Sequence, residues 1–160
     1  MLVKNIVVDI NEPIVINATE ISEPAIYNWY DTQGNLIFTG KDLTIATQVA
    51  TKYKLEVIAN VDGFKDYSEV EVIIKPSTIN SISPNPSSNN VTITYKLNTV
   101  NSAYLMILGS YGTTGTSNNY ILEPNSFQTN IDISNYPNGF YTVALVCNGQ
   151  IIDAKTLVKQ

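Results

Sequence analysis

The sequence predicts an all-β protein built as two tandem β-sandwiches. Short runs of period-2 alternation, rich in β-branched and aromatic residues, recur along all 160 residues between turn residues. No stretch sustains a 3.6-residue hydrophobic period, so helix content is expected to be slight. Composition also breaks at Lys75-Pro76-Ser77-Thr78. Residues 1–76 hold six lysines and eleven acids, whereas residues 77–160 hold three of each and are rich in Asn, Ser and Thr. Pro76 withholds a backbone donor and ends the preceding strand. The expected domains are therefore residues 1–76 and 77–160.

In the first domain the predicted strands are Ile6–Ile10, Ile14–Ala18, Ala25–Tyr30, Leu36–Thr39, Leu43–Ala46, Tyr53–Ala59 and Val70–Lys75. Asp31-Thr32-Gln33-Gly34-Asn35 reads as a hairpin loop, with Gly34 free to take positive φ. Two details favour an immunoglobulin-like sandwich. Trp29 lies mid-strand in Tyr27-Asn28-Trp29-Tyr30, where such folds bury a tryptophan between the sheets. Ala50-Thr51-Lys52-Tyr53-Lys54-Leu55 resembles a tyrosine corner, with Leu55 at the position of the second cysteine of antibody domains. This half resembles the immunoglobulin-like or polycystic-kidney-disease-like spacers of secreted bacterial proteins.

In the second domain the predicted strands are Thr78–Ser83, Val91–Leu97, Ala103–Leu108, Tyr120–Glu123, Phe127–Ile133, Phe140–Cys147 and Ile151–Val158. Asn148-Gly149-Gln150 joins the last two as a tight hairpin, because Asn-Gly favours a type I′ turn. Between Gly109 and Asn119 a Gly/Thr/Ser/Asn loop around Tyr111 reads as too polar to bury. A second immunoglobulin-like sandwich is expected.

Composition excludes several functions. The net charge of −5, with lysine as the only cation, leaves no clustered positive surface for nucleic acid. Without histidine and with one cysteine, zinc and histidine-activated nucleophiles have no ligands or base. Cys147 alternates with Tyr141, Val143 and Leu145 and reads as a small buried hydrophobe. Asp62, Asp66 and Glu69 lie near one loop but lack the spacing of a calcium loop. Glu123 and Asp153 read as isolated surface charges rather than a glycosidase pair. No run is long enough for a membrane helix. No enzyme, metal or other cofactor is expected.

Three motifs remain. Ser83-Pro84-Asn85-Pro86-Ser87 is a stiff connection, since each proline holds φ near about −65° and biases its predecessor toward extended geometry. Ile131-Asp132-Ile133-Ser134-Asn135-Tyr136-Pro137-Asn138-Gly139-Phe140-Tyr141 carries a loop into a strand, with Gly139 for the bend and Tyr141 for the core. The chain then closes on Lys155-Thr156-Leu157-Val158-Lys159-Gln160. Lys155 and Lys159 share a strand face and read by themselves as a solvated edge that deters sheet-to-sheet pairing.

In order, spacing and position these motifs resemble the C-terminal sorting domain of proteins exported by the type IX secretion system of Bacteroidetes-type bacteria, in its type A-like form. The resemblance covers about residues 78–160. Two departures stand out: Tyr136 replaces the usual leucine, and Ile107-Leu108-Gly109-Ser110-Tyr111-Gly112 lacks the acid expected at position 109. The second leaves the conformation of residues 109–119 open.

The resemblance implies an address label rather than a catalyst. Pro84, Asn85, Pro86, Asp132, Pro137, Gly139, Tyr141, Lys155, Val158 and Lys159 would form the signal. The translocon would recognise the folded tail in the periplasm and carry it through the outer membrane to the cell surface or medium. A sortase-like peptidase would cut near Pro76, Ser77, Thr78 and Ile79. An exposed final strand would offer a sheet edge for a partner, and the two small sandwiches would pack together or dimerise through edge strands. No secretory leader is recognisable near Lys4, so the chain reads as the tail of a larger protein with an upstream cargo domain. Two alternatives stay open: a structural spacer of an adhesin or glycanase, and a carbohydrate-binding module using Tyr27, Trp29, Tyr30 or Phe38. Strand parity points Tyr27 and Trp29 one way and Tyr30 the other, with the first two favoured as core.

Overall fold

A computed structural model describes residues 3–99, 101–110, 113 and 115–160. The chain divides into two compact units, Met1–Lys75 and Pro76–Gln160. Strands are the only regular elements among the described residues, and no helix there is long and apolar enough to cross a membrane.

The first unit comprises β1 (Val3–Val8), β2 (Ile14–Asn17), β3 (Ala25–Tyr30), β4 (Leu36–Thr39), β5 (Asp42–Ile45), β6 (Thr51–Ala59) and β7 (Lys65–Ile74). They form a five-stranded sheet in the order β1-β7-β6-β3-β4 and a two-stranded sheet β2-β5. β1 runs parallel to β7 and the other pairs are antiparallel. Alternation along the strands sends Ile16, Trp29, Leu43, Leu55, Val70 and Val72 into one core. Trp29 is only 1% exposed, and its indole Nε1 donates to Gly40 O at 3.0 Å, so its one polar atom is satisfied inside. Tyr27 packs partly buried against the same core. The tyrosine corner expected at Tyr53 does not form: that side chain is half-buried and its hydroxyl has no hydrogen-bond partner among the described residues.

The outward face of the large sheet carries a different device. The Glu56 carboxylate, itself buried, accepts from Lys65 Nζ at 2.9 Å, Tyr30 OH at 3.0 Å, Tyr67 OH at 3.0 Å and Asn28 Nδ2 at 3.3 Å. The Lys65 ammonium above all, then the Tyr30, Asn28 and Tyr67 donors, hold its pKa down at about 2 against the opposing effect of burial.

The second unit comprises β8 (Thr78–Ser83), β9 (Asn90–Lys96), β10 (Ala103–Gly109), β11 (Ser117–Ile121), β12 (Gln128–Asp132), β13 (Gly139–Cys147) and β14 (Gln150–Lys159). A four-stranded sheet, β11-β10-β13-β14, and a three-stranded sheet, β12-β9-β8, enclose one core. Ile93, Leu105, Ile107, Ile131, Tyr141, Val143, Leu145 and Leu157 are fully buried there, and Cys147 joins them. Asn148 and Gly149 turn the last hairpin with φ of 53° and 77°, the two positive values a type I′ turn requires.

The 109–119 segment differs from the polar loop expected. Ser117–Asn119 already belong to β11, and Thr113 is buried, its Oγ1 donating to Ser110 O at 2.6 Å or Phe140 O at 2.7 Å. Tyr111 lies outside the described residues. Gly109 explains the departure at that position. A Cβ there would stand 1.7 Å from Thr113 O, so neither an acid nor any other side chain fits this turn.

Candidate functional site

The three motifs converge on the last strand. β8 and β9 are antiparallel neighbours in one sheet, but the loop between them leaves that sheet and meets the edge of the other. Both peptide bonds preceding its prolines, Ser83-Pro84 and Asn85-Pro86, are cis. Pro84, Asn85 and Pro86 are exposed, while Ser87 is buried. Asn85 Nδ2 donates to Thr156 O at 2.8 Å, and Val158 N donates to Asn85 Oδ1 at 2.9 Å. One position on, Ser87 N donates to Val158 O at 3.0 Å and Gln160 N donates to Ser87 O at 2.9 Å. The second pair is a parallel bridge between Ser87 and Lys159. The first has the same pattern around Leu157, with the carboxamide of Asn85 standing in for a peptide group.

The middle motif makes the corner from β12 to β13, and so from one sheet to the other. Asp132 Oδ1 accepts from Ser134 N at 2.8 Å, an Asx turn that bends the chain as β12 ends. Hydrogen bonds from the Ser134 side chain and then its backbone lower the Asp132 pKa. Tyr136 N closes the turn on Ile133 O at 2.9 Å. Tyr141, fully buried, donates its hydroxyl to Pro137 O at 2.6 Å. That is a tyrosine corner, found here rather than at Tyr53. Gly139 opens β13 with a φ of 147°. Tyr136, at the leucine position, packs its ring 5.2 Å from that of Tyr141 and shares a 2.7 Å hydrogen bond with Tyr120 OH. Burial first, and the Tyr120 bond second, keep its hydroxyl well above the usual tyrosine range.

The terminal lysines do not form the solvated edge expected of them. Lys155 is exposed, but Lys159 is only 7% exposed, and its Nζ donates to Gln160 O at 2.8 Å and Asn138 Oδ1 at 3.3 Å. Parity alone does not separate them, since both lie on the face of buried Leu157; at Lys159 the 131–141 corner, through Asn138, closes over the stem. Val158 is half-buried. Nor is the outer edge of β14 open between Thr156 and Gln160, because Asn85 and Ser87 occupy it.

Asp153 also departs from the isolated surface charge expected. Its Oδ2 accepts from Ile79 N at 2.8 Å and its Oδ1 from Ala154 N at 2.8 Å, so it ties the start of β8 to β14. Of the segment expected to be cut, only Pro76 is exposed. Ser77 and Ile79 are buried, Thr78 and Ile79 belong to β8, and Ser77 Oγ accepts from Asn98 N at 2.8 Å. Ser87, Asn138 and Asp153 were not singled out from sequence. Ser87 and Asn138 lie inside motifs that were, but nothing local marks Asp153, whose partner is 74 residues away.

In the first unit, Asp62 Oδ1 accepts from Phe64 N and Asp66 Oδ1 from Tyr67 N, so both carboxylates serve their own loop. Among the described residues no group of three or more His, Cys, Asp or Glu is gathered that could hold a metal.

Fold and site together define an all-β module whose motif residues make a corner and an edge clamp. The family model of the secretion system C-terminal sorting domain matches residues 81–160, half of the chain. The chain belongs to that family: a type IX C-terminal sorting domain preceded by an all-β, sandwich-type unit. Among solved structures, a two-domain fibronectin type-III segment of chicken tenascin is similar at 12% identity over 95% of this chain and 94% of that one, with a TM-score of 0.47. The amphioxus IgVJ-C2 molecule is similar at 12% identity over 97% and 100%, with a TM-score of 0.45. The titin domains z1z2, in complex with telethonin, are similar at 14% identity over 98% and 92%, with a TM-score of 0.47. No curated protein matches the chain.

Proposed function

We propose that residues 77–160 are the export and anchoring signal of a secreted or cell-surface protein, recognised as a folded unit by the type IX translocon, and that residues 1–76 are a non-catalytic spacer. The observation that carries this reading is the union of the motifs. Pro84-Asn85-Pro86, the 131–141 corner and the closing strand are far apart in sequence but share one set of contacts around Leu157–Gln160. Such a composite surface exists only in the folded unit, so reading it also verifies that the tail has folded. With so few charges in this half, recognition rests on shape and backbone groups more than on electrostatic steering. A sortase-like peptidase is proposed to act at the start of the unit, Pro76–Ile79.

The carbohydrate-binding alternative loses its main residue, since a Trp29 buried in the core cannot stack on a sugar. Tyr30 is committed to Glu56.

The reading is tested with a reporter carrying residues 77–160 in a type IX-competent bacterium, beside a matched fusion lacking Thr156–Gln160. Export of the first and periplasmic retention of the second are expected. Retention of both would leave only a structural spacer.

A further inference from the structure

The first strand of the sorting unit is interrupted almost as soon as it begins. β8 is the edge strand of its sheet. Thr78 and Ile79 pair with Lys96 and Tyr95 of β9, but the register then shifts and pairing resumes at Ser81, leaving Asn80 opposite no residue. A bulge of this kind breaks the ladder. It leaves Thr78 and Ile79 as a short strand head hinged on the exposed Asn80.

Three contacts hold that head in place. Ile79 is buried in the core, and Ser77 Oγ, also buried, accepts from Asn98 N at 2.8 Å. The third contact crosses from the edge of the other sheet, where Asp153 Oδ2 accepts from Ile79 N at 2.8 Å. The local structure of β14 aims Asp153 at this partner. β14 shifts register against β13 between Leu145 and Val146, directly beside Asp153, and a bulge re-aims the side chains next to it. Ala154 N holds Oδ1 at 2.8 Å, which leaves Oδ2 for Ile79.

Proteolysis concentrates where backbone is exposed and unpaired. Ser77 and Ile79 are buried, and the Ile79 amide is taken, so this segment is closed to a peptidase in the folded unit. We propose that Pro76–Ile79 is a cryptic cleavage site and that Asp153 is its latch: a peptidase cuts there only once the head of β8 has swung out about Asn80. The inference rests on the reading of residues 77–160 as a processed export signal, and it adds how that processing is regulated. No displacing partner is required, because a short piece beyond a bulge opens by fluctuation while the core stays folded. The occupant of the opened site is the active-site cleft of the peptidase, which takes the freed main chain in extended form. Cleavage then tracks the population of the open state, and Asp153 sets that population.

The test uses the full chain and thermolysin, which cuts before bulky apolar residues and so hydrolyses the Thr78–Ile79 bond once it is free. No export machinery is present, so failure here is distinct from failure of the reporter. Wild type, Asp153→Ala, Asp153→Asn and Tyr141→Phe are compared. The last weakens the same unit at a corner that stays intact when only the head of β8 opens. Fragments beginning at Ile79 are timed by mass spectrometry, and amide exchange is followed at Ile79, Leu105 and Val143. In wild type, Ile79 should exchange faster than the two core amides. Asp153→Ala should raise both the Ile79 fragment rate and Ile79 exchange by about tenfold or more, since a charged acceptor is lost. Asp153→Asn keeps an oxygen for Ile79 N without the charge and should fall between; it carries the comparison if Asp153→Ala does not fold. Tyr141→Phe should speed exchange at Leu105 and Val143 while leaving Ile79 exchange and cleavage at the wild-type rate. Unchanged cleavage in both Asp153 variants overturns the latch. Equal acceleration in Tyr141→Phe, or a wild-type Ile79 amide as slow as the core, means that the site opens only by global unfolding and overturns it as well.

Discussion

Val158 donates its amide to the side chain of Asn85, 73 residues away, while the other half of the same carboxamide is held by Thr156 O. This contact joins the entry of the sorting unit to its last strand. Removing it with Asn85→Ala takes away two hydrogen bonds at an exposed site, where water replaces part of the loss. The second unit should lose about 1–2 kcal/mol. Denaturation followed by far-UV circular dichroism would measure this. The fluorescence transition of Trp29, the single tryptophan, should not move, because it reports the first unit.

Tyr141→Phe isolates the corner. The ring stays in the core and only the 2.6 Å bond to Pro137 O is lost. A cost of about 1–2 kcal/mol is expected, with folding retained. An unchanged midpoint would mean that the Tyr141 hydroxyl has no part in holding the 131–141 turn.

At Gly109 the constraint is steric. A methyl group placed 1.7 Å from a backbone oxygen forces the 109–116 turn to move. Gly109→Ala should destabilise the second unit by about 1–3 kcal/mol and release Thr113 from Ser110 and Phe140. Faster amide exchange at Thr113 would show it.

Glu56 makes the first unit sensitive to acid. Its pKa in the folded chain is about 2, below the ordinary value of 4.5, so its contribution is complete above about pH 5 and is lost as pH falls toward 2. Stability followed through Trp29 should decline across that window. Glu56→Gln should flatten the decline and lower stability at neutral pH, where it removes the Lys65 ion pair.

Lys159→Met keeps a long stem in the same space and removes the ammonium that donates to Gln160 O and Asn138 Oδ1. Stability should change by less than about 1 kcal/mol, because the lost polar contacts are offset by relief of desolvation. If export of the reporter nevertheless falls, the ammonium serves recognition rather than folding.

Each of the fourteen strands among the described residues overlaps a run read from sequence, because inward and outward side chains follow a period of two where one face is buried, but β1, β7 and β11 begin three to five residues earlier than read. The Asn148-Gly149 turn was legible for a similar reason, since few residues tolerate its positive φ values. So were the motifs, as segments. Their partners were not. Neither Tyr53 nor Tyr141 announces which hydroxyl will find a carbonyl, and Lys159 looks like any terminal lysine until the 131–141 corner closes over it. Asp153 reads as a surface charge until Ile79 arrives from 74 residues away. Local propensity and periodicity reside in neighbouring residues, and they determined fold class and strands, whereas the tail was identified by the resemblance of its three motifs to a known family. Hydrogen bonds that close the edge of β14 depend on how the two sheets stack, a long-range property that only the tertiary structure decides.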